Sequence, residues 1–445
     1  MLKKKEKFAI ALSGGIDSAA AALLLKNKGY DLAALYLKLF EHDRGENQAQ
    51  VIAEFLNMPF YAIDAKKEFR KKIIEYFLSE YKNGRTPNPC VRCNRDIKFG
   101  LLYEKAMGMG FEKLATGHYI SIKQENNLPA PRLRGQEAGK TTKQREQKLE
   151  IRKPVLSLSK DWKLGSCGEI RYEAEYHLYI SKDKGKDQSY FLYNLTQDIL
   201  RNVEFPLGNY RKEDIKASAK KWRLPAAENE SQDICFLAGR GLFADSYADY
   251  SRKVDHNEFL KEHLKMKKGD ILLREKLNIS PEKGSDPFER GQTPRMGKKI
   301  GEHQGLPLYT IGQRRAVGVG GIGPYYVVEK DEKRNILTVS EDRDDPLLYK
   351  DKLFAEDVNW ISGREPKMPL KAKVKIRYRH EAVDAVISTK QKSKKAKKQM
   401  ESKVGIVGEY IVKFKSPQRA VTPGQSVVFY KNSELIGGGV ISTKQ

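Results

Sequence analysis

The stretch that decides the fold is FAIALSGGIDS, residues 8–18. Its apolar run, residues 8–12, predicts a short buried strand that leads into the glycine pair Gly14-Gly15. The segment AAAALLLKNKGY, residues 19–30, is rich in strong helix formers and predicts a helix that closes at Gly29. A strand that turns through glycines directly into a helix predicts the first unit of an α/β domain.

The same alternation continues through the first 120 residues. Strands joined by helices favour right-handed crossovers, and hence a parallel sheet that is covered on both faces. We therefore predict a doubly wound parallel α/β domain. Its further strands are expected at residues 31–38, 61–64 and 113–119, and its helices at residues 46–57, about 69–78 and about 97–107.

The remainder of the chain predicts two further domains. Residues 123–175 are polar, basic and without period, which favours an inserted surface loop. A basic helix is predicted at residues 212–222, and after about residue 264 short strands with Gly and Pro punctuation replace the helical pattern. We expect domains at residues 1–230, 231–325 and 326–445, the last with a basic insertion at about 390–403.

The composition restricts the partners. The 445 residues include 83 basic and 58 acidic ones, a net charge of +25, which favours a polyanionic partner such as nucleic acid. Apolar residues make up 39%, enough to exclude a wholly disordered chain. No apolar run approaches the roughly 18–20 residues that span a bilayer. Four cysteines in 445 residues are too few to form a framework of disulfides. We expect a cytoplasmic protein without a membrane partner.

The glycine loop, residues 13–18, predicts an anion site. Two glycines let the backbone approach a ligand closely, and the N–H groups at a helix start attract negative charge, with the Ser13 and Ser18 hydroxyls as further donors. Because no Gly-Lys-Ser/Thr follows, the loop is not of the γ-phosphoryl-transfer type. It resembles the SGGxDS loop of enzymes that cleave ATP between its α and β phosphates. The alternative is a tight turn that packs a strand on a helix.

The cysteines suggest reactive thiols. Cys90 and Cys93 lie in TPNPCVRCN, residues 86–94, and Cys235 lies far downstream in ICF. The prolines and asparagines predict an exposed loop, in which Arg92 or Arg95 would make a thiol lose its proton more readily. Buried small hydrophobes and metal ligands are the alternatives. A structural zinc site is not expected, since the fourth cysteine, Cys167, falls in the irregular insertion.

Seven motifs then give the chain a family resemblance. It is similar, from end to end apart from the insertions, to the bacterial tRNA-specific 2-thiouridylases. The resemblance implies an adenine-nucleotide hydrolase-like α/β domain with a pyrophosphate loop, a small central domain and a C-terminal β-barrel. The motifs are SGGIDS (13–18), GRTPNP with CN and IKF after it (84–99), ATGHY (115–119), KDQSYFL (186–192), ICF (234–236), YTIGQRR (309–315) and TPGQSVVFY (422–430).

The resemblance also implies a reaction. The family thiolates the wobble uridine of the tRNAs for Lys, Glu and Gln: ATP with Mg²⁺ adenylates the C2 carbonyl, and sulfur then displaces AMP. Cys93 matches the nucleophile, and Cys235 matches the cysteine that carries a persulfide from a sulfur-relay or cysteine desulfurase donor protein. The two would end as a transient disulfide. The sequence leaves the oligomeric state open, with a monomer as the expectation.

Binding residues are implied by the same motifs. From the residues alone, the alternatives are a structural histidine at position 118 and a solvated turn at positions 314–315. The implied residues are Ala11, Leu12, Ser13, Gly14, Gly15, Ile16, Asp17, Ser18, Leu37 and Gly117 for ATP; Asn88, Pro89 and Cys90 for the target base; and His118, Lys186, Asp187, Gln188, Arg314, Arg315 and Gln425 for tRNA.

A basic strand face adds to the expected RNA surface. Residues 373–379 alternate basic and apolar side chains, which predicts one face able to follow phosphates. Solvated side chains are the alternative. The basic members are Lys373, Lys375, Arg377 and Arg379, and the apolar ones are Val374, Ile376 and Tyr378.

One departure from the family pattern opens a second route. Cys90 stands where many members have Asp, so Cys90, Cys93 and Cys235 look like the three thiolates that hold a 4Fe–4S cluster in other tRNA-thiolating enzymes with this loop. A cluster is therefore the alternative to the persulfide. Two further function classes stay open: another adenylating enzyme with the same loop, such as an amidotransferase synthetase, and a non-catalytic RNA-binding module.

Overall fold

A computed structural model describes residues 6–41, 44–126, 162–164, 170–172, 174–226, 234–237, 255–275, 297–314, 324–389 and 409–444. Cys167, Arg315, the basic insertion at 390–403 and most of the insertion at 123–175 lie outside these residues. The domain boundary expected near residue 230 stays a prediction. Residues 326–340, which were expected at the start of the C-terminal domain, pair with the strands of the middle sheet instead.

The first half of the chain forms the predicted parallel sheet. Its strands lie in the order β3-β2-β1-β4-β9, and each neighbouring pair is parallel. The four strands expected in the first 120 residues are confirmed. The bounds are β1 (Lys7–Ala11), β2 (Asp31–Lys38), β3 (Phe60–Asp64), β4 (Lys113–Thr116) and β9 (Val203–Glu204).

Helices cover both faces of this sheet. Phe8 and Ile10 share a hydrophobic cluster with the alanines of the first helix, whereas Ala9 between them packs with Phe99 and Leu102. Successive strand residues point to opposite faces, so both faces are buried, as the doubly wound prediction requires. The helices are α1 (Ile16–Asn27), α2 (Arg44–Phe55), α3 (Lys66–Phe69), α4 (Glu75–Lys82), α5 (Pro89–Cys93), α6 (Tyr103–Gly108), α7 (Gln197–Leu200), α8 (Lys212–Lys221) and α9 (His256–His263).

Two of these helices continue through wider turns. A π-helical segment, Arg70–Ile74, joins α3 to α4, and another, Asn94–Leu102, joins α5 to α6. The helices predicted at about 69–78 and 97–107 are thus confirmed as parts of longer helical stretches. The basic helix predicted at 212–222 is confirmed as α8.

A small mixed sheet forms the middle of the chain. Its order is β11-β10-β13-β12, with β10 and β13 parallel and the outer pairs antiparallel. Its core is continuous with α3, α4 and α5, since one hydrophobic cluster holds Phe77, Cys93, Phe259, Ile271 and Val327. The strands are β10 (Gly269–Leu273), β11 (Lys298–His303), β12 (Tyr326–Asp331) and β13 (Ile336–Ser340).

The C-terminal strands form a β-barrel, as predicted. They run in the order β14-β17-β16-β15-β18-β19, and a pairing between β14 and β19 closes the ring. A hairpin from the first half of the chain, β5 with β8, extends the same sheet beyond β19. The bounds are β5 (Ile120–Asn126), β8 (Ala174–Ile180), β14 (Tyr349–Trp360), β15 (Leu370–Lys375), β16 (Val383–Thr389), β17 (Tyr410–Arg419), β18 (Ser426–Lys431) and β19 (Glu434–Ile441). A separate short hairpin pairs β6 (Trp162–Leu164) with β7 (Ile170–Tyr172).

The strand with the basic face lies in this barrel. Val374 is buried and Lys373 is exposed, as the alternation predicts, but β15 ends at Lys375, so residues 376–379 do not continue the strand. Arg377 departs from the prediction of a wholly outward basic face, because its guanidinium donates to the Ala420 carbonyl. Among the described residues, no helix is long and apolar enough to cross a membrane.

Candidate active site

The glycine loop closes on itself at the carboxyl end of β1. The Ser18 hydroxyl accepts from the Ser13 N–H at 3.1 Å and donates to the Gly15 carbonyl at 2.9 Å. Gly14 has a φ of +84°, and a Cβ there would lie 3.1 Å from the Gly45 carbonyl oxygen, so only glycine fits without strain. The Ser18 hydroxyl proton is used inside the loop, contrary to the expectation that it faces a ligand, while the Ser13 side chain is exposed.

The other residues expected at ATP surround this loop. Ala11 ends β1, Leu12 and Ile16 are buried, and Leu37 lies near the end of β2, next to β1. Gly117 follows β4, and a Cβ there would lie 2.8 Å from the Ser18 backbone nitrogen. The lack of a side chain at Gly117 therefore lets the end of β4 approach the start of α1.

Asp17 carries the polar network of the loop. Its Oδ1 accepts from the Tyr119 hydroxyl at 2.8 Å and from Lys212 Nζ at 2.6 Å. Lys212 is only 4% exposed, so its ammonium depends on this partner far more than a surface lysine would. Neither Tyr119 nor Lys212 was predicted as a partner of Asp17. The sequence showed only that Lys212 begins a predicted helix, and no local sequence pattern linked this lysine with Asp17.

A second loop, residues 181–188, braces this network. The Gln188 side-chain oxygen accepts from the Tyr119 N–H, and the Gln188 N–H donates to the Tyr119 carbonyl, both at 2.9 Å. The Asp183 carboxylate accepts from the N–H of Lys212 at 2.9 Å, which fixes the start of α8. The loop expected to contact tRNA therefore positions Tyr119 and Lys212, the two residues that bond to Asp17.

Two of the expected tRNA contacts are buried in the structure. Asp187 accepts from the Ser181 N–H and the Ser189 hydroxyl, and burial raises the pKa of its carboxyl. His118 Nδ1 lies 2.9 Å from the Thr116 hydroxyl, the ring packs between Phe99 and Phe205, and burial lowers the pKa of the imidazole well below its usual value. This geometry favours the structural alternative for His118. Lys186 is partly exposed.

Cys90 and Cys93 lie in the short helix α5, which together with its π-helical continuation we call the cysteine helix. Asn88 caps it by accepting from the Val91 N–H at 3.3 Å, and Pro89 occupies the first turn. Asn88 and Pro89, both expected at the target base, thus also define the helix start. Cys90 is partly exposed.

The predicted exposure and acidity of Cys93 are wrong. Its side chain is 8% exposed, within the cluster that joins the first domain to the middle sheet. Burial raises the pKa of the Cys93 thiol to about 12, and the nearby Lys98 only partly offsets this. Arg92 and Arg95 do not activate the thiol, because both pair with Asp96.

Cys235 lies beside the same cluster. Its neighbour Phe236 is fully buried and packs edge-on against Phe77 at 5.2 Å between ring centroids. Cys235 packs against the cluster that contains Cys93, and both Cys235 and Cys90 are near enough to contribute to the raised pKa of Cys93. The structure therefore brings together the two cysteines that stand 142 positions apart (235 − 93).

A metal site is not assembled from these thiols. Within the part of the chain that the structure describes, no three His, Cys, Asp or Glu side chains form a group that could hold a metal ion. The cluster on Cys90, Cys93 and Cys235 therefore stays a prediction.

The remaining expected tRNA residues lie on the middle and C-terminal domains. Arg314 is exposed. Gln425 lies in the barrel turn, residues 420–425, which leads into β18. Its side-chain nitrogen donates to the Thr86 carbonyl at 2.9 Å and to the Pro87 carbonyl at 3.3 Å. This contact joins the barrel to the segment before the cysteine helix.

The buried state of Cys93 makes a prediction about its reactivity. At pH 8 we expect iodoacetamide to modify Cys93 about a thousandfold more slowly than an exposed cysteine, because only the thiolate reacts and a pKa of about 12 leaves little of it. The rate should rise about tenfold per pH unit from pH 8 to 10. Peptide mapping by mass spectrometry measures it, with urea-unfolded protein as the control. A rate that levels off near pH 9 would contradict the burial.

Fold and site first define a class: an α/β nucleotide-binding domain with a glycine loop, followed by a small second sheet and a β-barrel. The family model described as "tRNA methyl transferase HUP domain" matches residues 6–149 and 165–239. The models described as "tRNA methyl transferase PRC-barrel domain" and "Aminomethyltransferase beta-barrel domain" match residues 257–341 and 350–441.

Curated relatives identify the family. The chain is 36% identical to the tRNA-specific 2-thiouridylase MnmA 2 of Thermoanaerobacter sp. (strain X514), over 98% of both chains. It is 33% identical to the tRNA-specific 2-thiouridylase MnmA of Coxiella burnetii (strain CbuK_Q154), over 99% of this chain and 96% of the relative. It is also 33% identical to the MnmA of Shouchella clausii, over 99% of this chain and 98% of the relative. The chain belongs to the tRNA-specific 2-thiouridylase family.

Proposed function

We propose that this protein replaces the C2 oxygen of the wobble uridine in the tRNAs for Lys, Glu and Gln by sulfur, using ATP and a cysteine persulfide. The observation that carries the proposal is the position of Leu37. This residue, expected at adenosine, packs against the same cluster that contains Cys93 and borders Cys235. A nucleotide on the glycine loop and sulfur on the thiols would therefore meet at the carboxyl ends of β1 and β2, where open α/β sheets bind ligands.

The first step is activation of the uridine. The C2 oxygen attacks the α-phosphorus of MgATP, pyrophosphate leaves, and the oxygen becomes part of an AMP ester. The glycine loop would hold the phosphates through its N–H groups and the helix start. Asp17, fixed by Tyr119 and Lys212, would keep the loop in shape. Activation is needed because a carbonyl oxygen leaves poorly and AMP leaves readily.

The second step is sulfur transfer. The Cys93 thiolate attacks Sγ of the Cys235 persulfide, the S–S bond breaks, and hydrosulfide leaves as the two cysteines form a disulfide. The outer sulfur is reduced and the two cysteines are oxidised. Hydrosulfide attacks C2, and AMP departs with the former C2 oxygen. A thiol reductant restores both cysteines, which fits the reducing cytoplasm expected for the protein.

The cysteine helix is a suitable place for the base. Asn88, Pro89 and Cys90 lie at its start, where Cys90 and Asn88 are partly exposed. A base from a single-stranded anticodon loop reaches such a site at low cost, because it has no pairing to lose. The net charge of +25 supports a polyanionic substrate.

The proposal predicts a specific product. Purified protein, an unmodified transcript of the tRNA for Glu, MgATP and a cysteine desulfurase with cysteine should yield 2-thiouridine at the wobble position, detected by mass spectrometry of nucleosides. AMP should form in equal amount. A transcript with cytidine at that position is the matched control. Pyrophosphate release without thiolated nucleoside would favour another adenylating enzyme, and RNA binding without ATP turnover would favour a non-catalytic module. Iron and sulfide in anaerobically purified active protein would favour the cluster route.

A further inference from the structure

The segment before the cysteine helix is held from outside its own domain. This cysteine loop, residues 84–88, connects α4 to the cysteine helix. The Thr86 N–H donates to the Pro423 carbonyl at 2.9 Å, and its carbonyl accepts from the Gln425 side chain at 2.9 Å. One residue of the loop is therefore bonded on both sides to the barrel turn, 339 positions away along the chain.

The approach of these two segments is close. Gly424 has a φ of +88°, and a Cβ there would lie 2.9 Å from Arg85 Cβ and 3.0 Å from the Thr86 nitrogen. A side chain at 424 would push the barrel turn away from the cysteine loop. Arg85 adds a charged link, because it pairs with Glu80 of α4 and with Glu356 of β14 at 3.3 Å.

Hydrogen bonds within the barrel fix the barrel turn. The Arg377 guanidinium donates to the Ala420 carbonyl, and the Thr422 hydroxyl donates to the same carbonyl at 2.9 Å. On the other side of the cysteine loop, the Thr86 hydroxyl lies 3.3 Å from the hydroxyl of Thr310 in the middle domain. The cysteine loop is thus fixed between the barrel and the middle domain.

The Gln425 side chain uses both of its hydrogen-bond donors in this contact. A carboxamide has two N–H groups, and the Gln425 nitrogen bonds two acceptors, the Thr86 and Pro87 carbonyls. Those carbonyls directly precede Asn88, whose side chain caps the cysteine helix. The amide therefore acts on the position of the helix start, and through it on Cys93 five residues further on.

We propose that Gln425 is a positioning residue, which holds the cysteine helix in register with the rest of the site; the inference rests on the function proposed above. The barrel thereby does more than offer a surface to RNA, since it sets the position of the nucleophile. The tRNA contact implied by the family resemblance would use a donor that the cysteine loop already occupies.

The test compares Gln425→Leu with Gln418→Leu. Gln418 is the matched control because it is a buried glutamine of the same barrel. Its side-chain nitrogen donates to the nearby Ser416 and Pro417 carbonyls and not to the cysteine loop. Loss of two hydrogen bonds should loosen the helix start, so we expect iodoacetamide to modify Cys93 about tenfold faster in Gln425→Leu. The kcat for thiolation should fall about tenfold, with the Kd for tRNA and the KM for ATP within about twofold of the unchanged protein. Gln418→Leu should show neither effect.

The opposite pattern overturns the proposal. A raised Kd for tRNA, with unchanged Cys93 modification and unchanged kcat, would make Gln425 an RNA contact instead. Modification and tRNA binding are both measured without ATP or a sulfur donor, so they report on Gln425 even if the protein thiolates nothing. If Gln425→Leu fails to fold, Gln425→Glu keeps the shape but replaces the donor by an acceptor, and the same outcomes apply to it.

Discussion

Cys93→Ser and Cys235→Ser are each expected to lower thiolation of tRNA by at least about a thousandfold, while pyrophosphate release continues. A serine hydroxyl cannot carry a persulfide or attack one, but neither cysteine is needed for the C2 oxygen to attack ATP. Cys93 lies within a hydrophobic cluster and Cys235 packs against it, and serine is close to cysteine in size, so the fold should survive. The measurement is a single-turnover assay that follows AMP ester and thiolated nucleoside together.

The matched control is Cys167→Ser, the one cysteine without a proposed role, which should keep full thiolation. The unchanged protein should also form a disulfide between Cys93 and Cys235 after one turnover without reductant, visible as a cross-linked peptide. Normal thiolation by either Cys93→Ser or Cys235→Ser would refute the sulfur-transfer step. Loss of pyrophosphate release in both would point to a folding defect instead.

Asp17→Ala is expected to block the reaction before any sulfur chemistry. It removes the acceptor for the Tyr119 hydroxyl and leaves the buried Lys212 ammonium without its carboxylate. Removing one partner of a fully buried ion pair costs about 3–5 kcal/mol, and we expect a smaller loss of stability here because Asp17 is 29% exposed. We expect pyrophosphate release to disappear, and the midpoint of urea unfolding to fall.

A double variant separates the two effects. Adding Lys212→Met to Asp17→Ala removes the buried charge that Asp17 balances and should restore most of the lost unfolding free energy. Activity should stay lost, because the glycine loop would still lack the residues that fix it. Unchanged pyrophosphate release in Asp17→Ala would contradict the assignment of the loop to ATP. Equal stability of all the variants would show that Asp17 and Lys212 are not coupled.

Local signals in the sequence predicted the fold and the glycine loop well. The fold of residues 8–18 could be predicted from local sequence because the strand, the Gly14 turn and the helix start are neighbours along the chain. Lys212 was missed because its partner is 195 positions away, and no local pattern connects a helix start with a distant carboxylate. The ion pair became visible only with the crossover that places α8 beside α1.

The error on Cys93 has a different cause. Prolines and asparagines around it correctly indicated a turn, and Asn88 does cap a helix there. A turn does not by itself expose a side chain. Phe236 and Phe259, from later parts of the chain, belong to the same hydrophobic cluster as Cys93 and help to bury it. Local composition determines backbone shape, whereas burial depends on which distant segments pack against it.

The hairpin that continues the barrel sheet has a consequence for how the protein unfolds. β8 pairs with β19 through Leu178 and Leu435, and the Tyr190 hydroxyl reaches the Ser426 carbonyl at 2.9 Å. The nucleotide-binding part and the barrel therefore share one hydrogen-bonded ladder instead of meeting as two finished modules. Separating them would bare a strand edge on each side, a surface through which proteins aggregate. We therefore expect the nucleotide-binding part and the barrel to unfold together as one cooperative unit.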